Sequence, residues 1–350
     1  MIDTNKYFDI YRILPYQRPF NLINSIRSVG KTYVIQWWVM KQCLEKKRQC
    51  AALFRTKDEI EKKDILEEWY FKVLAQEFPN INFKFTKREI YIEEETEEGE
   101  KEKIILVRAF ALSEYRSIKK MSMPLVDYII FDEYIIEDGL ISDYFHGWKE
   151  PTTLLSIYHS IDREENRVKV FMLANTSSFY NPYHLDGFFD IPKPKFGKIW
   201  TSKEVLFWWV EPSEALIEDK KNDPFFIQSL KSAYGKFANS NEYDEDKDTF
   251  IKEVPFQSVV MCTLLYDEKE YTVYNNVPLD GCVYIKDCKD RRSRVTYALT
   301  LDDHEENTFL IKSGNFSQIN FIKKAIQCGR IRFDNIKCRK TFDSALKILT

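Results

Sequence analysis

The sequence predicts an α/β protein built on a mainly parallel sheet, followed by a smaller α/β or α+β domain. Three observations predict it. Residues 19–23, "AALFR", "KIILVRAF", "VDYIIFDEYI" and "RVKVFMLAN" are short apolar runs, hydrophobic on both faces as strands covered by helices on either side must be. "KTYVIQWWVMKQCLEKK", between the first two, places apolar residues at helical spacing before a charged end. Beyond about residue 212 the texture turns polar and charged, and alternating strand patterns resume only in "FIKEVPFQSVVMCTLLYDEKEYTVYNN". The expected division is therefore residues 1–212, a linker or hinge at 213–248, and a second domain at 249–350.

The elements follow in order. After the strand at 51–55, "KDEIEKKDILEEWYFKVLAQEF" reads as one long amphipathic helix and "INFKFTKREIYI" as a hairpin-like pair of strands. "EEETEEGEKEK" packs like charges around a glycine and reads as a solvated turn. Two further apolar strands, a loop and a third strand complete the first domain, and "INFIKKAIQCG" is a helix near the C-terminus.

Composition sets bounds on function. A chain of 350 residues, 44% hydrophobic and 31% charged, is long enough for two domains and folds as a globular protein. Its net charge of -3 supplies no general basic field, so any nucleic-acid contact must come from local patches. The N-terminus carries no basic-then-apolar signal pattern, and stretches such as "VLFWWV" fall far short of the roughly 18 residues that span a bilayer. A cytoplasmic location without membrane partners is expected. The seven cysteines contain no CxxC pair and the four histidines are scattered, which argues for reduced thiols and against a disulfide frame or zinc site.

The chemistry begins at "SIRSVGKT", Ser25-Ile26-Arg27-Ser28-Val29-Gly30-Lys31-Thr32. A strand precedes it and a helix follows, so backbone N–H groups would face an anion, with Lys31 on the β/γ-phosphates of ATP and Thr32 on Mg2+. Ser25 stands where such a loop normally has its first glycine, which requires a negative φ there or tolerance of a modest strain. The bland alternative is an ordinary helix capped by Ser28.

"LVDYIIFDEY", about a hundred residues on, ends a buried strand in Asp132-Glu133. An ATPase needs one carboxylate to support the metal and another to orient the attacking water, because phosphoryl transfer is catalysed by positioning and charge stabilisation. Alone, such a pair is an ordinary solvated turn; paired with the loop it points to hydrolysis of ATP. Arg163, just before a strand, fits an arginine finger reaching from a neighbouring subunit, and Asn175, just after that strand, a sensor of the γ-phosphate. A surface arginine and a turn asparagine are the alternatives. Two basic clusters suit sequence-independent grip on double-stranded DNA: Arg116, Lys119 and Lys120 in a loop before the acidic strand, and Lys323, Lys324, Arg330 and Arg332 with Lys337, Arg339 and Lys340 near the C-terminus. A solvated helix face is the alternative for the second.

The order "SIRSVGKTY", "ALFRTKDEI", "YIIFDEYI", "DREENRV", "LANTSSFYNPYHL" and "GRIRFDN" resembles the DNA-packaging ATPases, or encapsidation proteins, of small short-tailed phages with protein-primed genomes. "YNPYH" and "RIRFDN" are its specific parts, since the loop and acidic pair occur in many ATPases. The resemblance implies a P-loop ATPase of the additional-strand, conserved-glutamate type. It implies a homo-oligomeric ring, a pentamer, at the portal of an empty procapsid, which would drive DNA inward and be absent from the mature virion. Lys31 and Thr32 would then hold nucleotide and magnesium, Asp132 would support the metal, Glu133 would be catalytic, Arg163 would act across subunits and Lys57 would lie near the subunit interface. The second domain would be a nuclease-like, RNase H-like fold without cutting activity that docks on DNA, the capsid or its structural RNA. A nucleotide-dependent assembly switch with little turnover, and a replicative helicase, are competing readings.

Overall fold

A computed structural model of the chain describes residues 6–62, 64–95, 99–136, 143–175, 181–185, 189, 191, 195–222 and 250–350. It divides into two compact units, one from residues 1–139 and 143–244, the other from residues 140–142 and 245–350. Of the stretch expected to be a linker, residues 214–222 form a helix, and residues 223–248 lie outside the described residues.

The first unit runs β1 (Phe20–Ser25), α1 (Lys31–Lys46), β2 (Gln49–Phe54), α2 (Lys57–Glu61), α3 (Ile65–Glu77), β3 (Lys84–Phe85), β4 (Glu89–Glu95), β5 (Lys101–Ala111), α4 (Tyr115–Ile118), β6 (Val126–Asp132), α5 (Glu150–Asp162), β7 (Lys169–Asn175), α6 (Pro182–Leu185), β8 (Ile199–Thr201), β9 (Val205–Trp209) and α7 (Glu214–Asn222). Its sheet has the order β3-β4-β5-β2-β6-β7-β1-β9-β8. The six strands from β5 to β9 in that order are mutually parallel, and only the two edges are antiparallel. All six residues of β1 are buried. They feed two cores alternately, Ile23 packing with Val34, Ile35 and Leu173 on one face, and Leu22 with Met172, Leu154 and Ile157 on the other. Side chains of period two, covered by helices on both faces, produce this alternation.

Two expectations change. The helix foreseen over 57–78 is broken into α2 and α3, with Lys62 extended and Asp64 left-handed at φ 61°. Ile60 and Leu66 are both buried, yet six residues apart on one continuous helix they would point roughly 120° apart; the break turns both inward. The charged stretch after residue 92 is less turn and more ladder. β4 continues to Glu95 and β5 starts at Lys101, so Glu93 faces Lys103 and Glu95 faces Lys101, while Lys84 and Lys47 pair with Glu93 and Glu94. Cross-strand opposite charges stabilise the extension.

The second unit contains β10 (Val259–Tyr266), β11 (Lys269–Asn275), α8 (Val277–Asp280), β12 (Val283–Lys286), β13 (Thr296–Ala298), β14 (Phe309–Leu310), α9 (Ser317–Gln327), β15 (Ile331–Phe333) and α10 (Ile336–Leu349). Its mixed sheet has the order β14-β13-β10-β11-β12-β15: an antiparallel meander, β10 to β12, extended by parallel strands on both sides. "RIRFDN" is a structural element here. Asp334 follows β15, accepting from the Val254 N–H at 3.1 Å and pairing with Lys286 at 3.1 Å, and Asn335 caps α10 through the Cys338 N–H at 2.8 Å.

Phe342, fully buried, packs edge-on against Tyr271 at 4.9 Å and against Phe333 at 5.9 Å. Phe342→Ala is expected to lower stability by about 3–5 kcal/mol. Urea unfolding followed by circular dichroism measures it. All seven tryptophans precede residue 210, so tryptophan fluorescence reports the first unit separately.

Candidate functional site

Parallel pairing sets the C-terminal ends of β1, β7 and β6 side by side, with Ser25 opposite Asn175 and Leu173 opposite Asp132. β7 is thus the additional strand between the loop-bearing strand and the acidic one. Ligands of open parallel sheets bind outside this edge.

The loop from Ser25 to Thr32 carries its strain elsewhere than the first-glycine position. Ser25 is the last residue of β1 and is absent from the left-handed residues; its hydroxyl donates to the Ile26 carbonyl at 2.8 Å. The left-handed residues are Ser28, at φ 69°, and Gly30, at φ 86° and the N-cap of α1. Ile26 and Val29 are buried anchors, the Val29 carbonyl accepts from the Phe8 N–H at 2.9 Å, and Arg27 and Ser28 face solvent. Ser28 is therefore part of the loop rather than the helix cap of the bland reading.

Lys31 is only 7% exposed, and its Nζ donates to Asn175 Oδ1 at 2.7 Å. The Thr32 hydroxyl donates to Asp132 Oδ2 at 2.9 Å. Desolvation raises the Asp132 pKa above the ordinary value, opposed by the Lys31 charge, the Thr32 hydroxyl and the Glu133 N–H. An acid with a raised folded pKa favours the fold while protonated, and loses that contribution as pH rises through the raised value. Its ionised form is the form that attracts a cation. Thr32 and Asp132 supply two hard oxygen donors, the chemistry that suits a magnesium ion.

Glu133 projects into solvent from a left-handed backbone, φ 54°, and its N–H donates to Asp132 Oδ1 at 3.0 Å. A cleft of about 280 Å³ lies beside it, walled by Arg55, Glu59, Lys62, Trp69 and the acidic pair. Lys31, Thr32, Asp132, Glu133 and Asn175 are thus brought to one edge.

The remaining sequence-derived residues lie apart. Arg163 caps α5 at φ 50° on the surface, before the N-terminal end of β7. Crossing that seven-residue strand to Asn175 takes roughly 20 Å, so within its own chain Arg163 is at the edge opposite Lys31. Lys57 starts α2 and pairs with Glu61 at 3.0 Å. Arg116 lies in the short helix α4, not in a loop; its guanidinium and the Lys119 ammonium sit 5.8 and 5.3 Å from the Tyr115 ring, and both residues, with Lys120, are exposed. In the second unit Lys324 and Arg330 are exposed and Lys323 half-buried. Arg332 instead donates to the Gly329 and Ile331 carbonyls and lies over Phe250, a structural role that competes with contact to DNA. The Thr176–Tyr180 part of "LANTSSFYNPYHL" lies outside the described residues.

Sequence reading missed the groups behind the acidic pair. Arg55, one residue past β2, donates through Nε and Nη2 to Glu150 at 2.9 and 3.0 Å, and to the carbonyls of Glu133 at 3.3 Å and Tyr134 at 3.1 Å. Glu150 is completely buried and also accepts from the Tyr183 hydroxyl at 2.8 Å and the Phe145 N–H at 2.5 Å. Burial would lower the Arg55 pKa, but the Glu150 carboxylate outweighs it and the guanidinium ends above its ordinary value. One available signal was Asn24, a polar residue of the buried strand β1; its Oδ1 accepts from the Tyr134 hydroxyl at 2.8 Å.

A family model described as Podovirus DNA encapsidation protein (Gp16) matches residues 2–348. The chain is 27% identical over 344 residues to a DNA packaging protein of Bacillus phage phi29, covering 95% of each. It is 27% identical over 326 residues to a DNA packaging protein of Bacillus phage B103, covering 92% of this chain and 95% of that one. Among solved structures it is similar to a chain of the bacteriophage Phi-29 viral genome packaging motor assembly, at 25% identity with a TM-score of 0.71, covering 98% of this chain and 99% of that one.

A Cβ at residue 30 would meet the Tyr7 ring at 3.1–3.3 Å and sit on a left-handed backbone. Gly30→Ala is expected to cost about 1–2 kcal/mol in urea unfolding. Ser28→Gly, which relieves a left-handed serine, is expected to be neutral or stabilising by under about 1 kcal/mol.

Proposed function

The chain belongs to the podovirus DNA encapsidation protein family, and from that membership and the site geometry we propose that it hydrolyses ATP to drive double-stranded viral DNA into an empty capsid. The convergence of Lys31, Thr32, Asp132, Glu133 and Asn175 at one sheet edge carries the reading. The loop from Ser25 to Thr32 wraps the phosphates with its backbone N–H groups. Lys31 exchanges Asn175 Oδ1 for β/γ-phosphate oxygens, which releases Asn175 to contact the γ-phosphate. Thr32 and Asp132 would hold a magnesium ion, which would supply positive charge to offset that of the phosphates. Glu133, solvent-facing and one residue past Asp132, orients and deprotonates the attacking water.

A finger is absent from the Lys31 edge as far as Arg163 is concerned, so its role requires a neighbouring copy. A homo-oligomeric ring, a pentamer in this reading, gives each Arg163 a site on the next subunit and brings Lys57 to the interface. Arg116, Lys119 and Lys120 on their exposed edge, with Lys323, Lys324 and Arg330 in the second unit, would hold DNA phosphates without reading sequence. Among the described residues no helix is long and apolar enough to cross a membrane, compatible with work in the host cytoplasm and at the portal of the procapsid. Docking on the portal, the procapsid or a structural RNA falls to the second unit.

A loss of cutting activity in that unit is supported by how its acids are used. β10 (VVMCTLLY) and β13 (TYA) carry no carboxylate. Asp267 and Glu268 form the left-handed turn between β10 and β11, Glu270 pairs with Lys289 at 2.5 Å, and Asp280 accepts from the Tyr284 hydroxyl at 2.5 Å. Two-metal cleavage needs such groups gathered about one point.

Glu133→Gln is expected to lower DNA-stimulated ATP turnover by about a hundredfold or more while nucleotide binding persists. Mixing inactive Glu133→Gln with inactive Arg163→Ala subunits should restore part of the turnover, read by phosphate release. Normal hydrolysis by Glu133→Gln would remove the assigned base, and mixed rings that stay inactive would remove the finger.

A further inference from the structure

Asn181–His184 of the "YNPYH" stretch, specific in the sequence yet unused by the chemistry above, lie directly behind the acidic pair. Asn181 caps the short helix α6, its Oδ1 accepting the Tyr183 and His184 N–H groups at 3.0 and 3.3 Å. From that turn one polar route crosses through Tyr134 to β1, and a second leads to the Glu133 carbonyl. In the first, Asn181 Nδ2 lies 3.1 Å from His184 Nδ1, His184 Nε2 lies 3.2 Å from the Tyr134 oxygen, and the Tyr134 hydroxyl donates to Asn24 Oδ1. Amide nitrogen only donates and amide oxygen only accepts, so every donor meets an acceptor when His184 is neutral with its proton on Nε2. The chain of bonds then runs one way, from the turn to the strand that carries the phosphate loop. In the second, Tyr183 donates to Glu150, Glu150 holds the Arg55 fork, and Arg55 grips the carbonyls of Glu133 and Tyr134.

The second route grips the carbonyls on either side of Tyr134, the first of them that of Glu133, and the first route fixes the Tyr134 side chain between the turn and β1. Glu133 has a left-handed backbone, φ 54°, which is strained for an L-residue and persists only when its surroundings over-determine it. Tyr134, Tyr183 and Glu150 are fully buried, and His184 and Asn181 nearly so, so the contacts have no water to compete with them.

We propose that the Asn181–His184 turn braces the base of the proposed reaction: Tyr134 and Glu150 are positioning residues that hold the Glu133 turn and thereby aim its carboxylate. The proposal rests on the ATPase reading, because only a reacting carboxylate needs such aim. A misplacement of about 1 Å at a reacting group lowers rate by around a hundredfold.

The test uses the full-length chain with DNA and measures four quantities: kcat, KM for ATP, stoichiometry of a fluorescent ATP analogue, and Tm. The parent comes first; if it turns over no ATP, the functional reading falls and the brace with it. Given parental turnover, Tyr134→Phe and Glu150→Gln are each expected to lower kcat ten- to a hundredfold, with KM and analogue affinity within about twofold and one nucleotide bound per chain. Tyr183→Phe, which removes one bond to Glu150 and nothing else, should lower kcat by a smaller factor and serves if Glu150→Gln fails to fold. Folded variants with kcat within about twofold of the parent overturn the proposal. So does a fall in turnover matched by an equal fall in nucleotide stoichiometry, since that reports lost protein rather than a misaimed base.

Discussion

Keeping the Lys31 ammonium charged with almost no exposure to water is the constraint on which the rest of the site depends. An isolated cation in such a place would lose its proton or disrupt the fold. Here the charge meets Asn175 Oδ1 at 2.7 Å and the field of Asp132, and both partners come from strands that follow β1 by more than a hundred residues. Only the order β6-β7-β1 puts them there. The sheet topology is therefore more than a scaffold: it supplies the counter-dipole and counter-charge that let a buried lysine keep its proton. In the proposed reaction an arriving triphosphate would replace a neutral amide oxygen by an anion, so the same burial that is costly in the free protein would strengthen the bound contact.

Asp132 and Glu133 are adjacent in sequence but are treated in opposite ways. Asp132 is the last residue of β6, desolvated against Trp69 and the first turn of α1. Glu133 turns outward through a left-handed residue, and Tyr134 turns straight back into the core. The sharp excursion separates two carboxylates that repel each other and gives each its own solvent environment. One is suited to a metal and the other to water.

Much of this was legible from residue pattern. The loop, the acidic pair and Asn175 announce themselves because each ends an apolar strand, and parallel strands bring their ends together. Ser25 looked anomalous only on the assumption that the first position of the loop must be left-handed; the chain places that burden on Ser28 and Gly30, which no local pattern reveals. The break between α2 and α3 was equally hidden, since Ile60 and Leu66 each fit a helical pattern and only their common burial shows the phase change. Arg55 and Glu150 were invisible for another reason. They are 95 residues apart, each stands among ordinary charged neighbours, and their meaning lies in the pair.

The two stretches most distinctive in sequence illustrate what such distinctiveness encodes. "RIRFDN" closes the second unit locally, with a strand end, a carboxylate that takes a backbone N–H and an asparagine cap, and its second arginine, Arg332, is spent on nearby carbonyls. In "YNPYH" Asn181 is also a cap, but Tyr183 and His184 are directed away from their own helix, toward Glu150 at the start of α5 and Tyr134 just past β6. A cap needs only Asn181; the buried hydroxyl of Tyr183 and the imidazole of His184 add desolvation costs that a purely local turn has no reason to bear. Those costs are offset only because Glu150 and Tyr134 are waiting for them. Strain in this site sits on residues 28 and 133, and the groups that hold the second are found only by following hydrogen bonds through the interior.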